Sequence, residues 1–461
     1  MATMAALKRV QDAMCRSHGS FVLPAIEARA IPGMGVGVVA RESIPKDTLV
    51  LQAARDVWFP FSAEHAIERA RDKAPRFLQQ LDELVASNPS FQSGEAFVPN
   101  ALALGVHLLV NFPHAQEPDR VFADMSKPAN SSRDLEALYV NSLPRFVDLP
   151  LYWDDAQFKE LQGCTEVARS IQQTSKFYMQ VYRHFFGTNN SFINPEAFFW
   201  AISILMSRAT SGKHQPFTLI PFFDLFNHAD NGDECVQSFD PHEGFTIHTS
   251  RAYAPGEQLC INYGHHANIR LLRNYGFVMP SNPHDVVDLP VPSHLQRLST
   301  DDPAFAQKVE LVEAMKIRGV VRSSSPPFLF KKTLRLDHHG ELSSDSNLWL
   351  QLQTASSEEL RLLVEQTFAR EGSRHDDAVV QFPTSVDCKL HDEISAIVDQ
   401  RIRQHSTTLE ADQTFLAANE NQMAPWLRSC LYIRTSEKRI LQKAKQRYTG
   451  ISAQSHKSGL R

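Results

Sequence analysis

The chain has 461 residues, of which 43% are hydrophobic and 21% are charged, and its formal net charge is −5. This length predicts about two or three domains, and the composition is ordinary for a globular protein. The slightly acidic balance argues against a nucleic-acid partner, and no apolar run approaches the roughly 20 residues that span a bilayer, so we expect no membrane insertion.

The first part of the chain has the pattern of β-structure behind a short extension. Residues 1–24 contain an amphipathic stretch without the apolar centre of a secretory signal, and we treat them as an N-terminal extension. Residues 36–40 and 48–51 are rich in valine and leucine and flank the turn sequence 44–47. This arrangement predicts a β-hairpin.

Helical patterns dominate from about 62 to 192. The runs 101–109 and 177–186 predict helices, whereas the polar stretch 117–134 predicts an exposed loop.

A further helix is predicted from Pro195 to about Thr210. Asn194 can cap it, Pro195 suits its first turn, and Gly212 is expected to end it. Strand patterning follows from 219 to 263, with a turn at 254–257.

After about residue 290 the pattern is helical again. Ser356 with Glu359, and Thr407 with Glu410, have the spacing of capping boxes and predict helix starts. A long amphipathic helix is predicted from about Pro425. The remaining predictions are loops at 323–327 and 338–346 and a disordered tail at 449–461.

These patterns together predict an α+β protein. A β-fold at 25–289 is interrupted by a helical insertion at about 62–192. An all-α domain at 290–448 follows it.

The six cysteines show no metal-binding or disulfide pattern. They lie at positions 15, 164, 235, 260, 388 and 430, without any C-x-x-C spacing. Scattered cysteines are typical of a reducing compartment, so we expect an intracellular protein, cytoplasmic or nuclear, with an organelle left open.

A glycine cluster at 33–37 superficially resembles a dinucleotide-binding motif. That motif requires a helix after the glycines, whereas a strand and a proline-containing turn follow here. The glycines fit either an ordinary bulge or a hairpin that lets a ligand approach the backbone closely.

Polar residues end an apolar run at 224–228. Buried polar groups are unfavourable unless they meet partners, and a ligand is one such partner. The alternatives are a turn whose side chains bond their own backbone and a core histidine with satisfied nitrogens. His265 and His266 lie further on without the spacing of further metal ligands, so we expect no metal.

Two other residues have ordinary explanations when each is taken alone. Tyr263, at the end of a strand, fits a core aromatic residue with a satisfied hydroxyl. Arg208, at the end of a helix, fits a side chain that complements the helix dipole. The order of the motifs along the chain carries more information than any one of them.

Five segments occur in an order that characterises one family, and they are Gly35–Val38, Trp200–Arg208, Ile220–His228, Pro255–Gly264 and Asn274–Val278. With them the chain resembles SET-domain protein methyltransferases, in particular the branch that contains the Rubisco large-subunit lysine methyltransferase and the actin-histidine methyltransferase. Tyr139–Trp153 resembles the signature of that branch's helical insert, and Leu431–Leu441 resembles its closing helix. The resemblance covers about residues 25–448.

The resemblance implies a SET-domain β-fold, a helical substrate-binding domain of the Rubisco-methyltransferase type, and S-adenosyl-L-methionine as methyl donor. It assigns cofactor binding to twelve residues, which are Met34, Gly35, Val36, Arg208, Asp224, Leu225, Phe226, Asn227, His228, Tyr275, Gly276 and Phe277. It implies that Tyr263 is the catalytic tyrosine and that Thr210 and Tyr263 contact the substrate. A protein substrate would dock on the C-terminal domain of a monomer.

Two positions depart from the family pattern. Related sequences often carry a charged residue where Met34 stands, which leaves recognition by the backbone there. Thr210 stands where the actin-histidine enzyme has an asparagine that contacts the target imidazole, which favours lysine. We therefore interpret the chain as a protein-lysine N-methyltransferase that acts by in-line transfer to a neutral amine. The alternatives are a protein-histidine methyltransferase and a SET-fold binding protein with little activity.

Overall fold

The computed structural model describes residues 4–88, 91, 97–112, 132–187, 193–296, 302–317, 328–369 and 382–458. The chain forms two compact units. The first comprises Met1–Tyr152, Gln172–His266 and Leu272–Gly276, and the second comprises Trp153–Ile171, Ala267–Leu271 and Phe277–Arg461. Within the described ranges, every helix is too short or too polar to cross a bilayer.

β-Strands supply the framework of the first unit. They are β1 Phe21–Val22, β2 Ile26–Ile31, β3 Gly35–Ala40, β4 Leu49–Ala53, β5 Thr210–Gly212, β6 Gln215–Thr218, β7 Asn227–His228, β8 Val236–Asp240, β9 Gly244–His248 and β10 Gln258–Ile261. Two four-stranded sheets have the orders β1-β4-β9-β8 and β2-β3-β10-β7, and β5 and β6 form a two-stranded sheet. The predicted hairpin of 36–40 with 48–51 is wrong, because β3 pairs with β2 and β10 whereas β4 pairs with β1 and β9.

The described helices before residue 276 are divided between the two units. They are α1 Met4–Arg16, α2 Arg55–Trp58, α3 Ala63–Lys73, α4 Pro75–Ser87, α5 Phe97–Asn111, α6 Ser132–Ser142, α7 Asp155–Lys159, α8 Thr165–Phe186, α9 Pro195–Arg208 and α10 Asn268–Tyr275. Helix α7 and parts of α8 and α10 belong to the second unit. The helices predicted at 101–109 and 177–186 are confirmed within α5 and α8. The loop predicted at 117–134 lies mostly outside the described residues, and its last three residues belong to α6.

The N-terminal extension contributes to the core of the first unit. Leu7, Val10 and Met14 on one face of α1 are buried there. The spacing of three and four residues places them on one side of the helix, as an amphipathic pattern requires.

Helix α9 is buried along most of its length and fixes the position of its C-terminal end. The side chain of Asn194 accepts a hydrogen bond from the backbone N–H of Ala197 at 2.7 Å, which confirms the predicted cap. The helix ends at Arg208 rather than near Thr210, since Thr210 already belongs to β5. The indole of Trp200 donates to the carbonyl of Pro144 at 2.9 Å, which ties the insert to α9.

The second unit is mainly helical, as predicted. Beyond α7 its elements are β11 Val286–Pro290, α11 Phe305–Ile317, β12 Thr333–Asp337, α12 Ser344–Thr354, α13 Ser357–Ala369, α14 Thr384–Arg403, α15 Leu409–Asn419 and α16 Pro425–Ser458. The description all-α needs correction, because β11 and β12 pair as an antiparallel sheet. Trp349 and other buried apolar side chains form a separate hydrophobic core in this unit.

Three loop and tail predictions have different outcomes. The segment 338–346 contains a turn and then the start of α12, so it is only partly a loop. The disorder predicted from residue 449 stays a prediction, and the backbone of α16 extends through Ser458. The loop predicted at 323–327 and residues 459–461 lie outside the described part of the chain.

The two predicted capping boxes also differ in outcome. The box of Ser356 and Glu359 is confirmed: each side chain accepts from the other residue's backbone N–H, at 3.3 and 2.7 Å. The second box is wrong by one residue, because Thr408 caps α15 by accepting from the N–H of Ala411 at 3.1 Å. The hydroxyl of Thr407 is engaged elsewhere, as a partner of Asp412.

Candidate active site

One sheet of the first unit brings together three of the motifs that the sequence singles out. Strand β3 carries the glycines and pairs antiparallel with β10. Strand β10 pairs in parallel with β7, so that Cys260 lies opposite Asn227. Tyr263 follows β10 by two residues. The glycine strand, the Asn-His pair and the tyrosine therefore lie on neighbouring strands.

Gly37 lies where the backbone of β3 passes close to two polar side chains. A Cβ atom at Gly37 would lie 2.3 Å from Oε1 of Gln258 and 2.7 Å from Nδ2 of Asn227. These two side chains are bonded to each other, since Nδ2 of Asn227 donates to Oε1 of Gln258 at 2.8 Å. Only glycine leaves this hydrogen bond undisturbed.

Gly35 is different, because space opens beside it. Its φ of +82° is in the left-handed region that glycine adopts readily. A Cβ there would meet no heavy atom within 4 Å. Met34, before it, is 50% exposed, and Nε2 of Gln258 approaches its Sδ at 3.8 Å. The backbone at Gly35 thus faces open space at the turn between β2 and β3, as contact with a ligand would require.

A strained turn presents the acidic motif. Phe222 has φ +64°, although it is not glycine, and it is buried at 1% exposure. Such a conformation costs about 1–3 kcal/mol and persists only where the surroundings fix it. A short 3₁₀ helix, Phe223–Leu225, follows and carries Asp224. The ring of Phe222 and the side chains of Leu225 and Phe226 are buried in the core, which fixes the turn.

Tyr263 is held by His228 of β7 and by Phe226, the residue that precedes β7. Its hydroxyl donates to the carbonyl of Phe226 at 2.7 Å, and its N–H donates to Nδ1 of His228 at 3.1 Å. Its ring stacks on His228 with centroids 5.2 Å apart, and the ring of Tyr275 lies 5.0 Å away on a tilt. Burial raises the pKa of the Tyr263 phenol, and the nearby charge of Arg208 only partly opposes this. The phenol is therefore neutral at physiological pH.

His228 acts here as a neutral hydrogen-bond acceptor. Burial lowers the pKa of His228, and the negative charge of Asp230 partly opposes this. Since Nδ1 accepts the N–H of Tyr263, a neutral ring carries its proton on Nε2.

Asp224 is the centre of a buried network. Its Oδ2 atom accepts from Nη1 of Arg208 at 2.9 Å and from the hydroxyl of Tyr139 at 3.0 Å. Nη1 of Arg208 also donates to the carbonyl oxygen of Asp224 at 3.3 Å. The other carboxylate oxygen, Oδ1, is buried and accepts no hydrogen bond within the described residues. A buried carboxylate oxygen left in this way requires an explanation, and a ligand supplies one.

The pKa values of the network are consistent with fixed charges. Burial alone would lower the pKa of Arg208, but Asp224 and Tyr139 raise it above its ordinary value. Burial, with the adjacent Asp224 carboxylate, raises the pKa of Tyr139 well above its ordinary value. Arg208 therefore stays charged and Tyr139 stays a hydrogen-bond donor across the physiological range.

The remaining predicted site residues lie on β5 and at or just after the end of α10. Thr210 lies on β5 opposite Thr218 and takes no part in the hydrogen bonds described above. Tyr275 ends α10, and Gly276 follows with φ +79° and a Cβ position 2.3 Å from the carbonyl oxygen of Asp148. Phe277 is the next residue and begins a segment of the second unit.

Two residues that contact the predicted site residues, Tyr139 and Gln258, are absent from the sequence-based assignment. Tyr139 begins the segment that resembles the signature of the helical insert, so a signal was present but pointed to structure rather than to the site. Gln258 opens β10 and contacts both Asn227 and Met34. A glutamine at the start of a strand carries no recognisable signal.

A cluster in the second unit has the residue types of a metal site. Ligand atoms of Cys164, His405 and Glu437 lie within 4.8 Å of one another. However, Glu437 already accepts from Nε of Arg401 at 2.7 Å. Burial and the charge of Glu437 also raise the pKa of the Cys164 thiol, so it keeps its proton. We interpret the cluster as a buried hydrogen-bonded network that links α8, α14 and α16.

Comparison with protein families gives two matches along the chain. A model of the SET domain matches residues 35–264. A model described as Rubisco LSMT substrate-binding matches residues 299–441. The first match begins at the open glycine of β3 and ends just after Tyr263.

Curated proteins similar to the chain include methyltransferases for two kinds of side chain. Actin-histidine N-methyltransferase of Dasypus novemcinctus is 25% identical over 337 residues, which is 66% of this chain and 52% of that protein. The chloroplastic ribulose-1,5-bisphosphate carboxylase/oxygenase large subunit N-methyltransferase of Nicotiana tabacum is 27% identical over 194 residues, 38% of each chain. The chain thus spans about half the length of the first relative and less of the second.

Solved structures with a similar fold include those of Rubisco LSMT. The SET domain of LSMT bound to lysine and AdoHcy has a TM-score of 0.67 at 18% identity and covers 97% of this chain and 91% of that one. Rubisco LSMT bound to AdoMet has a TM-score of 0.64 at 17% identity, with 97% and 92% coverage. At these identities the likeness concerns the fold.

Proposed function

We propose, from the premise that this chain belongs to the SET-domain family of S-adenosylmethionine-dependent protein methyltransferases, that it methylates a lysine side chain of another protein. The observation that carries the proposal is the position of Tyr263. Its neutral phenol lies beside the Asn227-His228 pair, on the sheet whose neighbouring strand contains the open glycine. These are the motifs on which the family resemblance depends.

The residues fit the chemical groups of S-adenosyl-L-methionine. The amino-acid end of this molecule carries a carboxylate and an ammonium. Arg208 uses only Nη1 for its hydrogen bonds within the described residues, and its side chain is 22% exposed, so further N–H groups can meet a carboxylate. Oδ1 of Asp224 can accept from an ammonium. The space beside Gly35 admits a ligand against the backbone.

When bound, the cofactor supplies a sulfonium methyl group, which the lone pair of the substrate amine takes while the electrons of the C–S bond return to sulfur. Tyr263 would orient that amine. Because its own proton is donated to the carbonyl of Phe226, its oxygen has lone pairs left to accept an N–H of the substrate. The Tyr263 phenol oxygen and the Phe226 carbonyl oxygen would both stabilise the positive charge that develops on the amine nitrogen.

The amine must be neutral before it reacts, and burial supports this. A lysine that enters a site lined by the rings of Tyr263, His228 and Tyr275 loses part of its hydration. Desolvation disfavours the charged form, so the pKa of the lysine falls and its proton is released to solvent. The site therefore needs no dedicated general base, and the neutral phenol and imidazole are consistent with that.

Lysine is the proposed target, and histidine is the second candidate. Thr210 stands where the resemblance places an asparagine in the histidine-specific enzyme, which supports lysine. The histidine alternative is supported by the 25% identity to actin-histidine N-methyltransferase. A catalytically weak binding protein is the third candidate, and the retained Tyr263, Asn227 and His228 speak against it.

The second unit is proposed to dock the protein substrate. The match to the Rubisco LSMT substrate-binding model, over residues 299–441, supports this role.

The test uses the full chain with isotopically labelled S-adenosylmethionine and a cell lysate, followed by mapping of methylated residues by mass spectrometry. Labelled lysine is the expected result, labelled histidine would select the second candidate, and no label with no cofactor binding by calorimetry would select the third.

The role of Tyr263 is tested with the same readout. Tyr263→Phe is expected to lower the rate by about 100-fold, as does loss of one well-placed group that stabilises developing charge. Tyr253→Phe is the matched control, since its buried hydroxyl donates to the carbonyl of Asp233 at 3.0 Å. Undiminished methylation by Tyr263→Phe would refute the catalytic assignment.

A further inference from the structure

We propose that Tyr139 of the helical insert is a positioning residue for the cofactor site, where it holds Asp224 so that Arg208 and Asp224 each keep a group available to the cofactor. This inference rests on the proposed function. Tyr139 lies on α6 and is not among the residues that the family resemblance assigns to cofactor binding.

Two donors share one oxygen of the Asp224 carboxylate. The Tyr139 hydroxyl and Nη1 of Arg208 both donate to Oδ2 of Asp224, at 3.0 and 2.9 Å. These two bonds fix the orientation of the Asp224 carboxylate. Its other oxygen, Oδ1, is buried and accepts no hydrogen bond within the described residues. The side chain of Asp224 is only 2% exposed, so the unbonded oxygen has little access to bulk water.

This sharing leaves Arg208 bonded to Asp224 through a single nitrogen, Nη1. Arginine and carboxylate side chains favour bidentate pairing, in which two N–H groups meet two oxygens. Here the pair is made through one nitrogen and one carboxylate oxygen. The Tyr139 hydroxyl occupies the second lone pair of Oδ2 and so holds the carboxylate away from the bidentate arrangement. Other N–H groups of Arg208 remain for an anionic ligand.

Tyr139 is itself held rigidly in the core. Its side chain is 2% exposed, and its ring packs edge-on against Phe61 with centroids 4.8 Å apart. Its raised pKa keeps the hydroxyl protonated, so it donates at every pH at which the protein works. A fixed donor on a rigid ring determines the position of the oxygen to which it is bonded.

The network also lies within electrostatic reach of the reacting centre. The charges of Arg208 and Asp224 act in opposite directions on the pKa of the Tyr263 phenol. Tyr139, Asp224, Arg208 and Tyr263 all belong to the first unit. A change at Tyr139 therefore acts on cofactor binding through Asp224 and Arg208, without touching the ligand itself.

The experiment compares Tyr139→Phe with the wild-type full chain. The carboxylate, released from the hydroxyl, is expected to turn and pair with Arg208 through both oxygens. The Kd for S-adenosylhomocysteine, measured by calorimetry, and the KM for S-adenosylmethionine should then rise about tenfold, which corresponds to about 1.4 kcal/mol. The kcat at saturating cofactor should stay within about twofold.

Tyr182→Phe is the matched control. Tyr182 is 3% exposed in the same unit, and its hydroxyl donates to the carbonyl of Ile193 at 2.9 Å. Both variants lose one buried hydrogen bond and should show similar falls in Tm, but only Tyr139→Phe should weaken cofactor binding. An equal change of Kd in both variants, or in neither, overturns the positioning role.

A second measurement separates this role from general destabilisation. In an Arg208→Ala background, Tyr139→Phe should change Kd by less than about twofold, because the Asp224 carboxylate then has no guanidinium with which to form the bidentate pair. A full tenfold effect in that background overturns the inference while the proposed function stands. Absence of S-adenosylhomocysteine binding by the wild-type chain would overturn both.

Discussion

At the scale of single residues, Gly37 shows how closely the backbone of β3 must approach its neighbours. The atoms closest to a Cβ at Gly37 are the polar ends of Gln258 and Asn227, at 2.3 and 2.7 Å, and Cγ1 of Ile31, at 2.8 Å. The polar side-chain ends can move aside. A methyl group at residue 37 is therefore expected to shift Asn227 and Gln258 more than it disturbs the hydrophobic core.

Gly37→Ala is therefore expected to weaken binding of S-adenosylhomocysteine by about tenfold while the free energy of unfolding falls by about 1 kcal/mol. Calorimetry and chemical denaturation measure the two effects. Gly105→Ala in α5 is the control, because its Cβ would lie 3.5 Å from Cδ1 of Leu205 in α9, an ordinary van der Waals contact. That variant should bind normally and gain about 0.5–1 kcal/mol. Normal binding by Gly37→Ala would contradict the close approach.

Residues of the site differ in how far the sequence could predict them. Tyr263, Asn227 and His228 belong to short contiguous motifs, so the order of residues identifies them. Tyr139 meets Asp224 across 85 residues of chain, and neither position carries a local sign of the other. Such a partnership depends on how α6 packs, which periodicity alone does not specify.

At the scale of elements, two adjacent threonines at the start of α15 have different roles: Thr408 caps the helix, and Thr407 bonds buried side chains. Thr408 accepts the N–H of Ala411, whereas the Thr407 hydroxyl accepts from Nη2 of Arg434 at 2.7 Å and from Nζ of Lys438 at 2.8 Å. The side chain of Lys438 is 6% exposed. Adjacent threonines thus have different roles that their spacing to Glu410 does not distinguish.

Two substitutions test this assignment by chemical denaturation. Thr408→Ala should cost about 1 kcal/mol, the usual effect of losing a helix cap. Thr407→Val should cost more, about 1–3 kcal/mol, because two buried cations lose an acceptor. The reverse order of the two losses would restore Thr407 as the cap.

Element prediction succeeded where the signals are local. The start of α9 follows from Asn194 and Pro195, and the start of α13 follows from Ser356 and Glu359. The pairing of strands was not predictable in this way. Two strands separated by a turn look like a hairpin, yet β3 and β4 belong to different sheets because their partners come from distant parts of the chain.

At the scale of the whole molecule, buried charges make stability depend on pH. The carboxylate of Glu437 is 5% exposed and pairs with Arg401, which is 2% exposed. Burial alone would raise the pKa of Glu437, but His405 and Arg401 lower it overall. A carboxylate with a lowered folded-state pKa stabilises the protein above its unfolded-state pKa, near 4.3, and this contribution is lost as pH falls through the folded-state pKa.

Glu437→Gln should therefore cost about 3 kcal/mol at pH 7, since it leaves Arg401 without its buried counter-charge. The difference from wild type should shrink as the pH is lowered below about 4. Urea unfolding at several pH values measures this, with the exposed Glu42→Gln as control. A difference that is constant with pH would show that Glu437 gains no stability from ionisation in the folded state.

The pairing of β3 with β10 also has a consequence for synthesis of the protein. Val38 lies opposite Leu259, so β3 leaves the ribosome about 220 residues before its partner. Strand β2 can pair with β3 early. The other edge of β3 stays unpaired until most of the first unit has been translated. Contacts of such long sequence separation form slowly, which makes the nascent chain prone to aggregation at this edge. Expression at low temperature or with added chaperones should therefore increase the yield of folded protein.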